Sequence, residues 1–171
     1  SKMLLENQVD FDVANLSEDF NKYEVLIFPS KSKLSKSVIL QVEDFIKQGG
    51  SVITFGESVL NFVQDDIAKD FGVKYIGNSD LDCDYTLLKE DLYPIFVKTP
   101  FLNYKPAIQV EPLGEAKVLA DVFEPYFNRT SKHYCSHQKT PFKETKADYP
   151  AIVQNGKCIF IGHALDAMYN K

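Results

Sequence analysis

The stretch Glu24–Ser58, EVLIFPSKSKLSKSVILQVEDFIKQGGSVITFGES, leaves the chain few choices of fold. Val25-Leu26-Ile27-Phe28 is an unbroken apolar run, the pattern of a strand buried on both faces. Pro29 ends it, and Ser30-Lys31-Ser32-Lys33 forms a polar exit loop. Ser35 reads as a helix N-cap, with Leu34 and Ile39 spaced as a hydrophobic staple. Val38, Val42, Phe45 and Ile46 follow the i, i+4, i+7, i+8 spacing of a helix with one buried stripe. Gly49-Gly50 supplies the C-terminal stop of a helix over 35–48, and Val52-Ile53-Thr54-Phe55 is a second buried strand closing at Gly56. Strand, helix and strand with short joints predict a right-handed βαβ unit, with strands 25–28 and 52–55 adjacent and central in a mainly parallel sheet.

The rest of the chain fits around that unit. Met3-Leu4-Leu5 before Asn7 reads as the end of a helix, and Val9 to Val13 alternates like a strand near a sheet edge. A domain rarely opens in mid-helix, so a preceding strand and half a helix are expected upstream. A short helix is expected over Val63–Phe71, stopped by Gly72, and a strand over Val73–Ile76. From Asn78 the helical period fades. Short β-type runs follow at Tyr85–Leu88, Ile95–Val97, Ala107–Val110 and Val118–Phe123. Residues 126–149 are polar and irregular, and Pro150–Val153, a turn at Asn155-Gly156 and Cys158–Ile161 form a β-hairpin. A short terminal helix ends at Met168-Tyr169. No repeat or linker divides the chain, so residues 1–171 read as one α/β domain whose irregular, β-rich second half wraps onto the sheet of the first.

Composition narrows the partners. At 171 residues and 44% hydrophobic content the chain can fill a core, but it is too short for a (β/α)₈ barrel of roughly 250 residues. A net charge of −5 argues against a nucleic-acid face. No apolar run approaches the roughly 20 residues of a membrane span. Cys83, Cys135 and Cys158 are odd in number and lack CxxC spacing, so a reduced, cytoplasmic setting is expected.

Several groups carry side chains capable of chemistry. His133, Cys135 and His137 alternate, so in extended backbone all three would share a face and reach one metal, although no fourth ligand is evident. The plainer reading is that they anchor an irregular loop. Asp80, Asp82 and Asp84 open like a calcium loop, but Tyr85 and Asp91 stand where such a loop needs Gly and Glu, so a solvated acidic turn is expected. Lys31, Lys33 and Lys36 precede a helix N-terminus without a glycine that would let a phosphate approach. Tyr126, Phe127 and Arg129 combine aromatics with arginine, which suits an interface; for Phe127 core packing is the alternative.

The motifs also resemble a known family. FDV at Phe11–Val13, YEVLIFPS at Tyr23–Ser30, Leu34-Ser35 and FIKQGGSVITFGES from Phe45 are similar to the β-galactosidase trimerisation domain of bacterial glycoside hydrolases. AKVLADVFEPYFNRT (Ala116–Thr130), HYCSHQKTP (His133–Pro141) and YPAIVQNGKCIFIG (Tyr149–Gly162) extend the resemblance over nearly the whole chain, most like a variant that follows a catalytic barrel in β-galactosidase-like hydrolases. The resemblance implies a flavodoxin-like, class I glutamine-amidotransferase-like fold. It also implies a non-catalytic module that holds a homotrimer together beside a catalytic barrel of the same chain, with no cofactor. That family begins one strand earlier, in line with the upstream strand expected above. An amidotransferase needs a cysteine on the turn after the second strand, where this chain has Gly56-Glu57-Ser58, and Ser58 lacks the G-x-S-x-G frame. His163 falls roughly where such enzymes keep their base, and is read here as a relic or a surface residue. The alternatives are a free-standing amidotransferase-like hydrolase using Cys135 or His163, or a small-molecule binding module at the carboxyl ends of the strands.

Overall fold

A computed structural model describes residues 1–94 and 97–169. In chain order the elements are helix α1 (Lys2–Glu6), strand β1 (Val25–Phe28), helix α2 (Lys36–Lys47), and strands β2 (Ser51–Phe55), β3 (Ile67–Ala68), β4 (Val73–Asn78) and β5 (Asp84–Leu88). They continue with β6 (Phe101–Asn103), β7 (Ile108–Pro112), β8 (Lys117–Phe123), β9 (Pro150–Asn155), β10 (Cys158–Ile161) and helix α3 (Leu165–Met168). Seven strands form one sheet in the order β1-β2-β10-β9-β8-β5-β6, and β3-β4-β7 form a second.

The βαβ unit is as the sequence predicts. The Ser35 hydroxyl accepts from the Val38 N–H at 3.4 Å, capping α2. Val38, Val42 and Phe45 are buried in the main core with Val52 and Phe160, while Leu34 and Ile39 pack at its margin. Burying each such side chain contributes roughly 1.5–3 kcal/mol, so the apolar stripe, more than helix propensity, holds α2 in place.

The sheet departs from expectation. Only β1, β2 and β10 run parallel; every pairing from β10 through β9, β8 and β5 to β6 is antiparallel. The physical reason is connectivity: β9 and β10 are joined by a tight turn with Gly156 at φ 55°, and a two-residue turn permits only antiparallel pairing. β1 is an edge strand rather than a central one. Leu26 and Phe28 are buried, but Val25 and Ile27 are 45% and 40% exposed. An apolar run reports how well a strand tolerates burial, not whether a neighbour covers both faces.

Residues Val63–Phe71 are not a helix. A 3₁₀ segment Gly56–Phe62 is followed by a reversal in which Gln64 pairs with Ile67, and Asp65 and Asp66 adopt φ of 48° and 66°. Aspartate tolerates that left-handed region, and two such residues in succession stop a right-handed helix. Of Ile67, Ala68 and Phe71, the residues such a helix would turn inward, Ile67 is exposed, while Ala68 and Phe71 are buried from a strand and a second 3₁₀ turn instead. Val9–Val13 lies outside any strand, with Val13 81% exposed. The run expected over Ile95–Val97 falls on residues 95 and 96, outside the described residues. The remaining predicted strands are present, and β6 is an addition.

Two cores result. The larger joins α2, the parallel strands and the small sheet through residues such as Phe71, Val73 and Val110. The smaller gathers Ala107, Ala120, Val122, Tyr149 and Ala151 between the antiparallel strands.

Candidate functional site

The carboxyl ends of β1, β2 and β10 meet at one end of the sheet, where a doubly wound fold places its ligand. Here that end is filled. Gly56 sits at φ 49°, and a Cβ on it would lie 3.3 Å from the Ser30 Cβ and 3.5 Å from the Ala164 nitrogen. Ser58 is fully buried. Its hydroxyl accepts from the Phe55 N–H at 3.0 Å and has the Phe28 and Phe55 carbonyls at 3.1 and 2.9 Å to donate to. It closes the turn after β2 and has no histidine within reach among its bonded partners. The Ser30 backbone and hydroxyl donate to Asp166 Oδ2 at 3.1 and 3.2 Å, tying β1 to α3.

His163 is not a surface residue. It is 2% exposed, and its Nε2 lies 2.7 Å from Oδ1 of a fully buried Asp84. The same oxygen accepts from Asn103 Nδ2 at 3.0 Å, and Oδ2 accepts from the Ala107 N–H at 2.8 Å. Asn103 also donates to Thr86 Oγ1 at 2.9 Å. One carboxylate thereby joins the end of β10, the start of β5, the end of β6 and the lead into β7. Asp84 is thus no part of a solvated turn. Sequence reasoning missed the pair because its members stand 79 positions apart, and nothing local marks either as buried.

Other groups are inert or dispersed. Burial pushes the Cys83 and Cys158 thiols up to about 12, so neither is a ready thiolate. Among the described residues no three of His, Cys, Asp and Glu come together in a way that would hold a metal. His133 stacks on Phe127, the ring centroids 3.7 Å apart and the planes 13° from parallel. The Cys135 sulfur instead faces the carbonyls of His137 and Lys139 at 3.6 and 3.8 Å. These three residues shape the loop between β8 and β9.

That loop is fastened at several points. Asn128 donates to the Asp80 carbonyl at 2.8 Å and accepts from the Asp82 N–H at 2.9 Å. Lys139 reaches the Asp82 carbonyl and carboxylate at 3.1 and 3.3 Å, and the Tyr85 hydroxyl donates to the Thr140 carbonyl at 2.8 Å. Arg129 Nη1 donates to the Gln138 carbonyl at 3.0 Å. Phe127 is half-buried, whereas Tyr126 and Tyr134 are 57% and 66% exposed. At the opposite end of the parallel strands two open clefts of about 410 and 480 Å³ adjoin along α2 and the starts of β1 and β2.

Comparison with known proteins agrees with this geometry. Residues 2–61 match the family model of the β-galactosidase trimerisation domain. α-L-Fucosidase isoenzyme 2 from Paenibacillus thiaminolyticus superposes with a TM-score of 0.89 at 28% identity, covering 98% of this chain and 25% of that one. A β-galactosidase from Rahnella sp. R3 gives 0.65 at 14% identity over 98% of this chain and 26% of its own. A glutamine amidotransferase from Thermotoga maritima gives 0.51 at 10% identity over 94% and 66%, a likeness of fold alone. A search of curated protein sequences finds no match. The chain spans about a quarter of the length of the two glycoside hydrolases. The resemblance read from the sequence is therefore borne out: over residues 2–61 this chain matches the β-galactosidase trimerisation domain.

Proposed function

We propose that residues 1–171 act as a single non-catalytic domain that holds together the subunits of a larger glycoside hydrolase, a homotrimer whose catalytic barrel lies elsewhere in the same chain. The observation that carries the reading is the filled carboxyl end of the parallel strands. Ser58 stands where an amidotransferase needs its nucleophile, and its hydroxyl is spent on backbone groups. His163, just after β10, is held by Asp84. A scaffold built this way has no reacting group to offer, and a pair of carboxylates for glycoside cleavage belongs to the barrel. The better fit to the α-L-fucosidase than to the β-galactosidase, 0.89 against 0.65 in TM-score, supports a fucoside as the parent's substrate at least as well as a galactoside. Tyr126, Phe127 and Arg129 are the proposed interface residues, since aromatics and arginine carry much interface energy.

The test is an assay of the purified chain on chromogenic α-fucoside, β-galactoside and glutamine substrates. No turnover is expected. Activity that survives repurification and vanishes in a folded Cys135→Ala or His163→Ala variant would overturn the scaffold reading.

A further inference from the structure

The loop between β8 and β9 has a composition unlike the rest of the chain. Residues 126–139 read YFNRTSKHYCSHQK: Arg129, Lys132, Lys139, two histidines and three aromatics, with no aspartate or glutamate, in a protein of net charge −5. Lys139 is committed to Asp82, but the Arg129 hydrogen bond goes to a neutral carbonyl, so its charge and that of Lys132 face outward. The loop is also held in shape before any partner arrives, by the Asn128, Lys139 and Thr140 contacts and the stack of Phe127 on His133. A preorganised loop loses little conformational entropy on docking.

The opposite end of the sheet has the complementary character. The cleft of about 410 Å³ is walled by Glu18, Asp19 and Asp44 over a floor that includes Phe20 and Phe45, and no basic residue lines it. Glu24 and Lys157 both border the adjoining cleft, the lysine donating to the Gly49 carbonyl at 2.6 Å, so the acidic character belongs to the first cleft. Glu18 and Asp44 do reach Lys22 and Lys47, but these are exposed, water-screened pairs that another cation can exchange for. Strand register fixes the separation. β8 ends, and β9 begins, beside Ile161 and Phe55, whereas Glu24, Ser51 and Lys157 stand at the starts of β1, β2 and β10. Basic loop and acidic cleft therefore lie at opposite ends of the strands and cannot meet within one copy.

Resting on the trimeric reading above, we propose that the loop 126–139 of one copy docks in the acidic cleft beside α2 of the next. A cyclic trimer needs two different patches on each subunit, repeated head to tail, and these two are complementary in charge. Tyr126 and Tyr134 supply the exposed aromatic surface, and the clefts are open enough to receive a ring. Arg129 and Lys132 would meet Glu18 and Asp44.

The test is sedimentation equilibrium of the full-length protein, with circular dichroism to confirm the fold of each variant. Arg129→Glu with Lys132→Glu should weaken trimer association by at least about tenfold, and adding Glu18→Lys with Asp44→Lys should recover most of the loss. Raising salt from about 0.05 to about 0.5 M should weaken the unmodified trimer in the same direction, a readout that needs no variant. A trimer indifferent to both salt and loop charge reversal would overturn this inference and leave the oligomerisation reading intact. Weakening without rescue would overturn the acidic cleft as the receiving surface. A monomeric parent would overturn both.

Discussion

Asp84 accepts from an imidazole, a side-chain amide and a backbone N–H, and each donor comes from a different part of the chain. A carboxylate so enclosed holds the fold only while all its partners are present. Asp84→Ala would leave the Ala107 N–H, the Asn103 amide and the imidazole buried without their acceptor. Breaking a buried pair from one side costs about 3–5 kcal/mol, and we expect a loss of that size in chemical denaturation. A change below about 1 kcal/mol would show that water or a shifted neighbour replaces the carboxylate. The sequence reveals nothing of this pair, because burial of a polar residue depends on distant partners. It does reveal that Ser58 cannot serve as an amidotransferase thiol, since that argument needs only residue type and the preceding strand. The alternation of His133, Cys135 and His137 does not outweigh their plainer reading as anchors of the loop. It presupposes extended backbone, and the loop turns instead: Thr130 and His133 bond to each other across a tight reversal.

At the level of elements, helix α2 and its flanking strands were fully legible. Cap, stripe and glycine stop agree with one another there, and agreement among independent local signals is what makes a segment readable. Phe45 is 3% exposed, and one edge of its ring is so close to Gly50 that a Cβ there would lie 2.2 Å from it. Phe45→Asp places an unpaired charge in that contact, and we expect it to abolish cooperative unfolding or cost more than about 4 kcal/mol. A thermal melt like that of the parent would show that this face of α2 is not core. The helix expected over 63–71 is absent because Asp65 and Asp66 adopt a left-handed backbone that no apolar periodicity records. β1 shows a related limit: four apolar residues signal tolerance of burial, and the exposure of Val25 and Ile27 reflects position at the sheet edge.

For the whole molecule, the sequence indicated an α/β sheet but overstated its parallel share. The tight β9–β10 turn makes that pair antiparallel, and β10 sits in the middle of the sheet, where the parallel and antiparallel halves join. Family motifs reached further than periodicity here, since they pointed to the family whose model matches residues 2–61. The described residues hold no helix long and apolar enough to cross a membrane. Whether this domain joins subunits is read most directly from the molar mass of the full-length protein by multi-angle light scattering, with and without residues 1–171. We expect a trimer that falls to a lower mass when the domain is removed. A strictly monomeric full-length protein at micromolar concentration, or a trimer unchanged by the deletion, would contradict this expectation.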